Sequence, residues 1–231
     1  MRTSFHIITI FPNIFDSYVE ESLFKRAIKN KIISVQMYDL RNFSDARYGK
    51  KPKKGFQPFA QVDDRPFGGG PGMVLKIEPI WRAVEFIKIQ EARNKRQGKK
   101  KTRTILFSTR GKKFDAKVAR RLTKYDDLIF ICGRYEGVDE RVAKYVADEE
   151  ISIGDYVLSG GEIPAMAVME SVSRYLPGFL GKKESLEEMN GSFPTYTRPE
   201  SFSPRKSKQW SVPKILLSGD HKKIEEWRGR K

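Results

Sequence analysis

The chain has 231 residues, 39% of them hydrophobic, with 15 Phe. That is enough for one good-sized domain with a small appendage, or two modest domains, around a real core. Its 45 Lys and Arg against 29 Asp and Glu give a net charge of +16, which points to a polyanionic partner, most simply nucleic acid.

No apolar run approaches the roughly 20 residues that a membrane-spanning helix needs. The start, "MRTSFHIITIFPNIF", reads as a buried first strand and not as a signal peptide, because no small-residue cleavage site follows. The single cysteine, Cys132, excludes an internal disulfide and fits a reducing cytoplasm. With only two His beside it, a structural zinc site is not expected.

In chain order, "FHIITIF" (5–11) predicts a strand ended by Pro12. Residues 14–30 carry Ile14, Tyr18, Val19, Leu23, Ala27 and Ile28 at helical spacing. "IISVQMY" (32–38) alternates as a strand, and the Lys-, Gly- and Pro-rich 47–61 as a loop. The next predicted helix is 79–92, with Pro79 at an early position. A basic turn at 94–103 leads to strand 104–108, and Asp115 caps a helix over 115–124. "DLIFICG" (127–133) is an almost continuous apolar run, hence a central strand buried on both faces. A helix over 136–146, a strand over 149–153 and a helix over 163–176 follow. This alternation predicts an α/β fold with a parallel-rich sheet. From 177 to 210 periodicity fades into Pro, Gly, Ser and charge, as in a linker or a substrate-ordered segment. Ser218 or Asp220 caps a last helix.

Glycine-bearing segments follow three successive predicted strands: "STRGKKF" (108–114), "CGRYEGVDER" (132–141) and "SIGDYVLSGGEIPA" (152–165). One glycine after a strand is usually only a turn. Three on neighbouring strands make a pocket at the carboxyl ends of the sheet. Its loop backbone can read an adenine edge, and Ile153, Tyr156, Leu158 and Pro164 can sandwich a flat ring. No G-K-[ST] follows, so the pocket suits a nucleoside cofactor without phosphates. In "VDDRPFGGGPGM", Asp63 stands before a glycine run that admits a flat purine, or that is simply a flexible turn. Arg174 in "SVSRYLPG" taken alone reads as a favourable charge at a helix C-terminus.

These segments, with "FPNIF", "YTRPE" and "VPKILLSGDHKKIEEWR", resemble in order and across nearly the whole chain the bacterial tRNA (guanine-N1)-methyltransferases, the TrmD family. That family methylates the guanosine just 3′ of the anticodon, position 37. The resemblance implies an α/β fold of the SPOUT superfamily, with a deep C-terminal trefoil knot of the kind that proteins normally avoid. It implies a knotted S-adenosylmethionine-binding domain over 1–180, a linker over 181–197 and a helical tRNA-binding region, which in this sequence is shorter than the family's and is expected as a truncated region over 198–231. It also implies a cytoplasmic homodimer acting on the tRNA anticodon stem-loop, without a membrane. The family's cofactor contacts carry over to Leu106, Phe107, Ser108, Gly133, Tyr135, Gly137, Ile153, Gly154, Tyr156, Val157, Leu158, Gly160, Gly161 and Pro164. Any Mg²⁺ is expected to be held partly through substrate and water.

For catalysis, the resemblance places Arg174 near guanine O6, Asp63 at the base pocket and a linker carboxylate as general base. Here the sequence departs. The family's Asp-Ser-Phe-like triplet reads Gly191-Ser192-Phe193, and the nearest carboxylates are Glu184, Glu187 and Glu188, of which Glu188 is the first choice. Asp63 is the alternative base. Thr109-Arg110 also replaces the family's more usual Pro-Gln. These departures keep two other readings in view: a knotted methyltransferase acting on another RNA site, and a catalytically impaired tRNA-binding protein. The lysine-rich loop is expected to add phosphate contacts. Neutralising Lys50, Lys51, Lys53 and Lys54 should weaken tRNA binding and flatten the log–log salt dependence of its affinity by roughly 3 in slope. An unchanged slope in a salt titration would remove that role.

Overall fold

The structure is a computed structural model, and it describes residues 3–45, 60–93, 100–180, 193–205 and 208–229. The loop lysines 50, 51, 53 and 54, most of the basic turn at 94–103, and Glu184, Glu187 and Glu188 lie outside the described residues. The chain divides into two compact units, Met1–Gly181 and Lys182–Lys231.

The strands of the first unit are β1 (Thr3–Thr9), β2 (Ile33–Asp39), β3 (Asp63–Asp64), β4 (Val74–Leu75), β5 (Thr102–Lys113), β6 (Asp127–Ile131) and β7 (Glu149–Ser152). Five of them form one sheet in the order β2-β1-β6-β5-β7, and every pairing in it is parallel. The helices are α1 (Asp16–Val19), α2 (Ser22–Lys29), α3 (Ile77–Arg93), α4 (Ala116–Leu122), α5 (Glu140–Tyr145) and α6 (Glu162–Arg174).

Strand periodicity divides the core. Phe5 and Ile7 of β1, Leu128 and Phe130 of β6, and Ile105 and Phe107 of β5 face α1, α2, α4 and α6. Their neighbours Ile8, Ile129, Ile131 and Leu106 face α3 and α5. Both sheet faces are therefore dry, as parallel sheets require. This is why β6 reads as an unbroken apolar run, with every residue buried.

Several predicted boundaries move. The helix expected over 14–30 is a 3-10 turn (Pro12–Phe15), then α1, then α2. The break falls at Glu21, which is extended with φ −117° and ψ 156°. Strand β5 does not stop at Ser108. After an irregularity it pairs again with β7, Lys112 with Ile151 and Lys113 with Ser152. The helix expected from 136 begins only at Glu140, where the Asp139 side chain accepts from the Arg141 N–H. Asp115 caps α4 as expected, accepting from the Val118 N–H at 2.8 Å.

A polar cluster is buried in the first unit. His6 and Asp127 are fully buried, with Nε2 3.4 Å from Oδ1. Glu91 joins them, and the Lys100 ammonium lies 2.5 Å from Glu91 Oε2 and 3.5 Å from Asp127 Oδ1. Burial would lower the pKa of Lys100, but the two carboxylates outweigh it and hold the lysine above its ordinary value. Lys100 thus supplies positive charge to both carboxylates of this group.

In the second unit, the segment read as irregular contains β8 (Ser201–Arg205) paired antiparallel with β9 (Lys208–Ser211). Helices Lys214–Leu217 and His221–Gly229 follow. The Asp220 side chain accepts from the Lys223 N–H at 3.2 Å, which selects Asp220 over Ser218 as the cap.

Gly111 sits where β5 returns against β7. A Cβ there would lie 2.6 Å from both the backbone N and C of Ile151. Backbone cannot yield as a side-chain tip can, so Gly111→Ala should destabilise the protein by about 1–3 kcal/mol. Urea unfolding would show this as a lower midpoint at unchanged m-value.

Candidate active site

Beyond the carboxyl ends of β5, β6 and β7 the glycine-bearing loops enclose a cavity of about 520 Å³, the size of a small-molecule site. Leu106, Phe107 and Ser108 line it from β5, and Gly133, Tyr135 and Gly137 from the loop after β6. Ile153, Gly154, Tyr156, Val157, Leu158, Gly160, Gly161 and Pro164 line it from the β7–α6 connection. The residues that the sequence assigned to a cofactor are therefore brought to one cavity.

The loops are stitched together by backbone. Gly161 N–H donates to Gly133 O at 2.9 Å, and Arg134 bridges to Gly160. A Cβ on Gly161 would lie 2.7 Å from Cys132 Cα, so only glycine lets these segments pass. Next in sequence is Glu162, 1% exposed at the first turn of α6. Its Oε2 accepts from Arg134 Nε at 2.9 Å, and its Oε1 accepts from the Thr9 hydroxyl at 2.7 Å. The Arg134 guanidinium also lies 4.7 Å from the centre of the Phe11 ring, a cation–π contact. Nearby Cys132 is no nucleophile. Burial, and then the Glu162 carboxylate, push its thiol well above the ordinary value.

The second constellation joins the first. Strands β3 and β4 form a short antiparallel ribbon around the glycine run, in which Gly68, Gly69, Gly70 and Gly72 all have positive φ. Leu75 N–H donates to Gly137 O at 3.0 Å, Asp139 N–H to Leu75 O at 2.9 Å, and Glu136 N–H to Met73 O at 3.1 Å. Tyr135, at φ +60°, has its phenol pKa raised by burial and by the negative charge of the nearby Asp63 carboxylate. Asp63 thus lies beside the loop that lines the cavity. Arg174 ends α6, 3.9 Å from Glu170 Oε1, and is not among the cavity-lining residues. Glu188 lies outside the described residues.

Residues 3–231 match the family model described as "tRNA (Guanine-1)-methyltransferase TrmD". The chain belongs to this family. It is 42% identical over 229 residues to the tRNA (guanine-N(1)-)-methyltransferase of Clostridioides difficile, covering 97% of this chain and 90% of that one. Against the enzyme of the same name from Listeria monocytogenes it is 42% identical over 231 residues, covering 97% and 84%. Among solved structures it is similar to the tRNA (m1G37) methyltransferase of Aquifex aeolicus, with a TM-score of 0.76, 40% identity, and coverage of 98% of this chain and 88% of that one.

The cavity also has a lining that sequence reading missed. Arg134, Glu136, Glu140 and Glu150 line it, beside Arg110 of the Thr109-Arg110 departure from the family's Pro-Gln. Arg134 and Glu136 alternate with Tyr135 in the motif already singled out, so they were within reach. Glu150 was not, because on an edge strand an acidic residue ordinarily means a solvated face. At the cavity rim Arg110 pairs with Glu140 at 2.5 Å.

The Glu162 network gives a stability test. Removing a buried carboxylate strands Arg134, which is itself only 19% exposed. Glu162→Ala should cost up to about 3–5 kcal/mol in urea unfolding, and thermal scans should show no binding-induced stabilisation with S-adenosylhomocysteine.

Proposed function

We propose that this protein transfers a methyl group from S-adenosylmethionine to N1 of guanosine 37 in tRNA. The observation that carries the reading is the cavity itself: the loops that match the family over the full chain enclose one space and are hydrogen-bonded to the Asp63 ribbon.

The lining suits this cofactor. Ile153, Leu158 and Pro164 offer apolar faces to a ring, and the glycine loops offer backbone donors and acceptors. Of the charged groups on the lining, Arg110 is paired with Glu140 and Arg134 with Glu162, while Glu136 and Glu150 add negative charge. Such a wall repels phosphate and favours a cationic nucleoside. When bound, S-adenosylmethionine supplies an electrophilic methyl on a sulfonium.

The protein's own groups must then make guanine N1 a nucleophile. N1 carries a proton, and we assign its removal to Glu188, a general base of a kind worth roughly 10²–10⁴-fold. As that proton leaves, charge develops on O6, and Arg174 is assigned to stabilise it. Asp63, beside Tyr135, is assigned to accept from the base edge. Arg174 lies outside its own chain's cavity lining, which supports an active site completed by a second copy. Phe11, Ile14 and Ile163 are large apolar side chains left exposed on a single chain, and they support a homodimer as well. The close backbone passages at Gly111 and Gly161 support the deep C-terminal knot. Residues 198–231 are assigned to tRNA contact, in keeping with the net charge of +16. The setting is cytoplasmic. No helix among the described residues is long and apolar enough to cross a membrane.

The test is methyl transfer from labelled S-adenosylmethionine to a tRNA transcript with guanosine at position 37, beside the adenosine variant. Transfer to the guanosine transcript alone is expected, and transfer to both would overturn the site assignment. Arg174→Ala should lower kcat by about 10²–10³-fold, with affinity for S-adenosylhomocysteine unchanged.

A further inference from the structure

Glu150 lies on β7 beside the cavity, with a carboxylate oxygen that the protein does not satisfy. Its Oε2 is buried and has no hydrogen-bond partner among the described residues. A buried carboxylate oxygen without a donor is costly, and in a native protein it calls for an explanation. The preceding residue shows what satisfaction looks like on the same strand. Glu149 points to the other face, where Arg121 donates to it at 2.7 Å and Arg103 at 3.0 Å. Arg110, a cation that feels Glu150, gives its hydrogen bond to Glu140 instead and adds only a longer-range attraction. Glu150 lines the cavity, so a turn of its carboxylate would bring the unpaired oxygen to a space that a donor can enter.

Position along the sheet narrows the donor. Glu150 is three residues before Ile153, so it stands about 10 Å along the strand direction from the start of the loop that would hold a flat ring. The amino group of an adenine held beside Ile153 is beyond its reach. Across the sheet, β7 is separated from β6 by β5, a distance of about 10 Å. The base ribbon is bonded to the loop after β6, so the methyl-donating end of the cofactor must lie there, away from β7. The part left beside Glu150 is the sugar. Two vicinal hydroxyls match the two oxygens of one carboxylate, the pairing by which acidic residues read ribose in dinucleotide sites.

We propose that Glu150 is a cofactor-binding residue whose carboxylate accepts hydrogen bonds from the ribose hydroxyls of the adenosyl group. The inference rests on the cofactor reading given above. It adds a side-chain contact to a site otherwise built largely from loop backbone.

The experiment is calorimetric binding of S-adenosylhomocysteine and of 5′-methylthioadenosine, which lacks the amino-acid tail, to the wild-type protein and to Glu150→Gln. The variant should bind both ligands roughly 10–100-fold more weakly, the loss expected for hydrogen bonds to a charged acceptor. Equal affinity in variant and wild type overturns the proposal. A loss confined to S-adenosylhomocysteine also overturns it, because the contact would then be to the ammonium of the tail. So does a loss that vanishes in an Arg110→Gln background, because Glu150 would then act through Arg110. A measurement on the wild type alone guards against misfolding of the variant: 2′,3′-dideoxy-5′-methylthioadenosine should bind at least as weakly as the parent binds Glu150→Gln, and undiminished affinity overturns the assignment. If wild type binds neither S-adenosylhomocysteine nor 5′-methylthioadenosine, the cofactor reading falls as well. If it binds them and only the Glu150 arms fail, that reading stands.

Discussion

A carboxylate at the first turn of a helix normally faces water and the helix dipole. Glu162 has the dipole but no water, so its charge must be answered from within the protein. It is answered by Arg134, on the loop after β6, and by Thr9, at the carboxyl end of β1. Three segments distant in sequence are thereby held to one point. Arg134 in turn stacks on Phe11, just beyond β1. The glycine loops can lie open around a cavity because their bases are clamped here.

The clamp works only if backbone can come close to backbone. Gly161 lets α6 start against Cys132, and Gly111 lets β5 fold back on β7. Polar closure and steric permission therefore fall on adjacent residues, Gly161 and Glu162. The "SGGE" run that ends the β7–α6 connection is architectural as well as ligand-facing. Side chains elsewhere on the lining then set the character of the cavity, and their balance is acidic.

Much of this was legible in the sequence because the sheet is parallel and dry on both faces. Burial on both faces gives continuous apolar runs such as 128–131, which few other elements imitate. The glycine loops stood out by composition, and their order along the chain gave the pocket. What escaped depended on contacts distant in sequence. Residues 136–138 have helical spacing, yet their backbone is taken by the ribbon at 73–75, so α5 starts late. Lys112 and Lys113 read as loop because charged residues at the exposed end of a strand carry no strand signal. β8 and β9 are mostly exposed on both faces, so no alternation betrays them. The buried side of Glu150 could not be read either, because its unpaired oxygen is a fact of three dimensions only.

The ribbon that carries Asp63 has a thermodynamic consequence. Leu75 is bonded through both its N–H and its C=O to the segment Gly137–Asp139, and Met73 to Glu136, so the two loops share one set of backbone hydrogen bonds. Neither can be ordered without ordering the other. A ligand that stiffens the loop after β6 lowers the entropy still to be lost when the ribbon closes on a base. Such coupling is reciprocal by thermodynamic necessity. A ligand that orders either loop is thereby felt by the other through three shared main-chain hydrogen bonds.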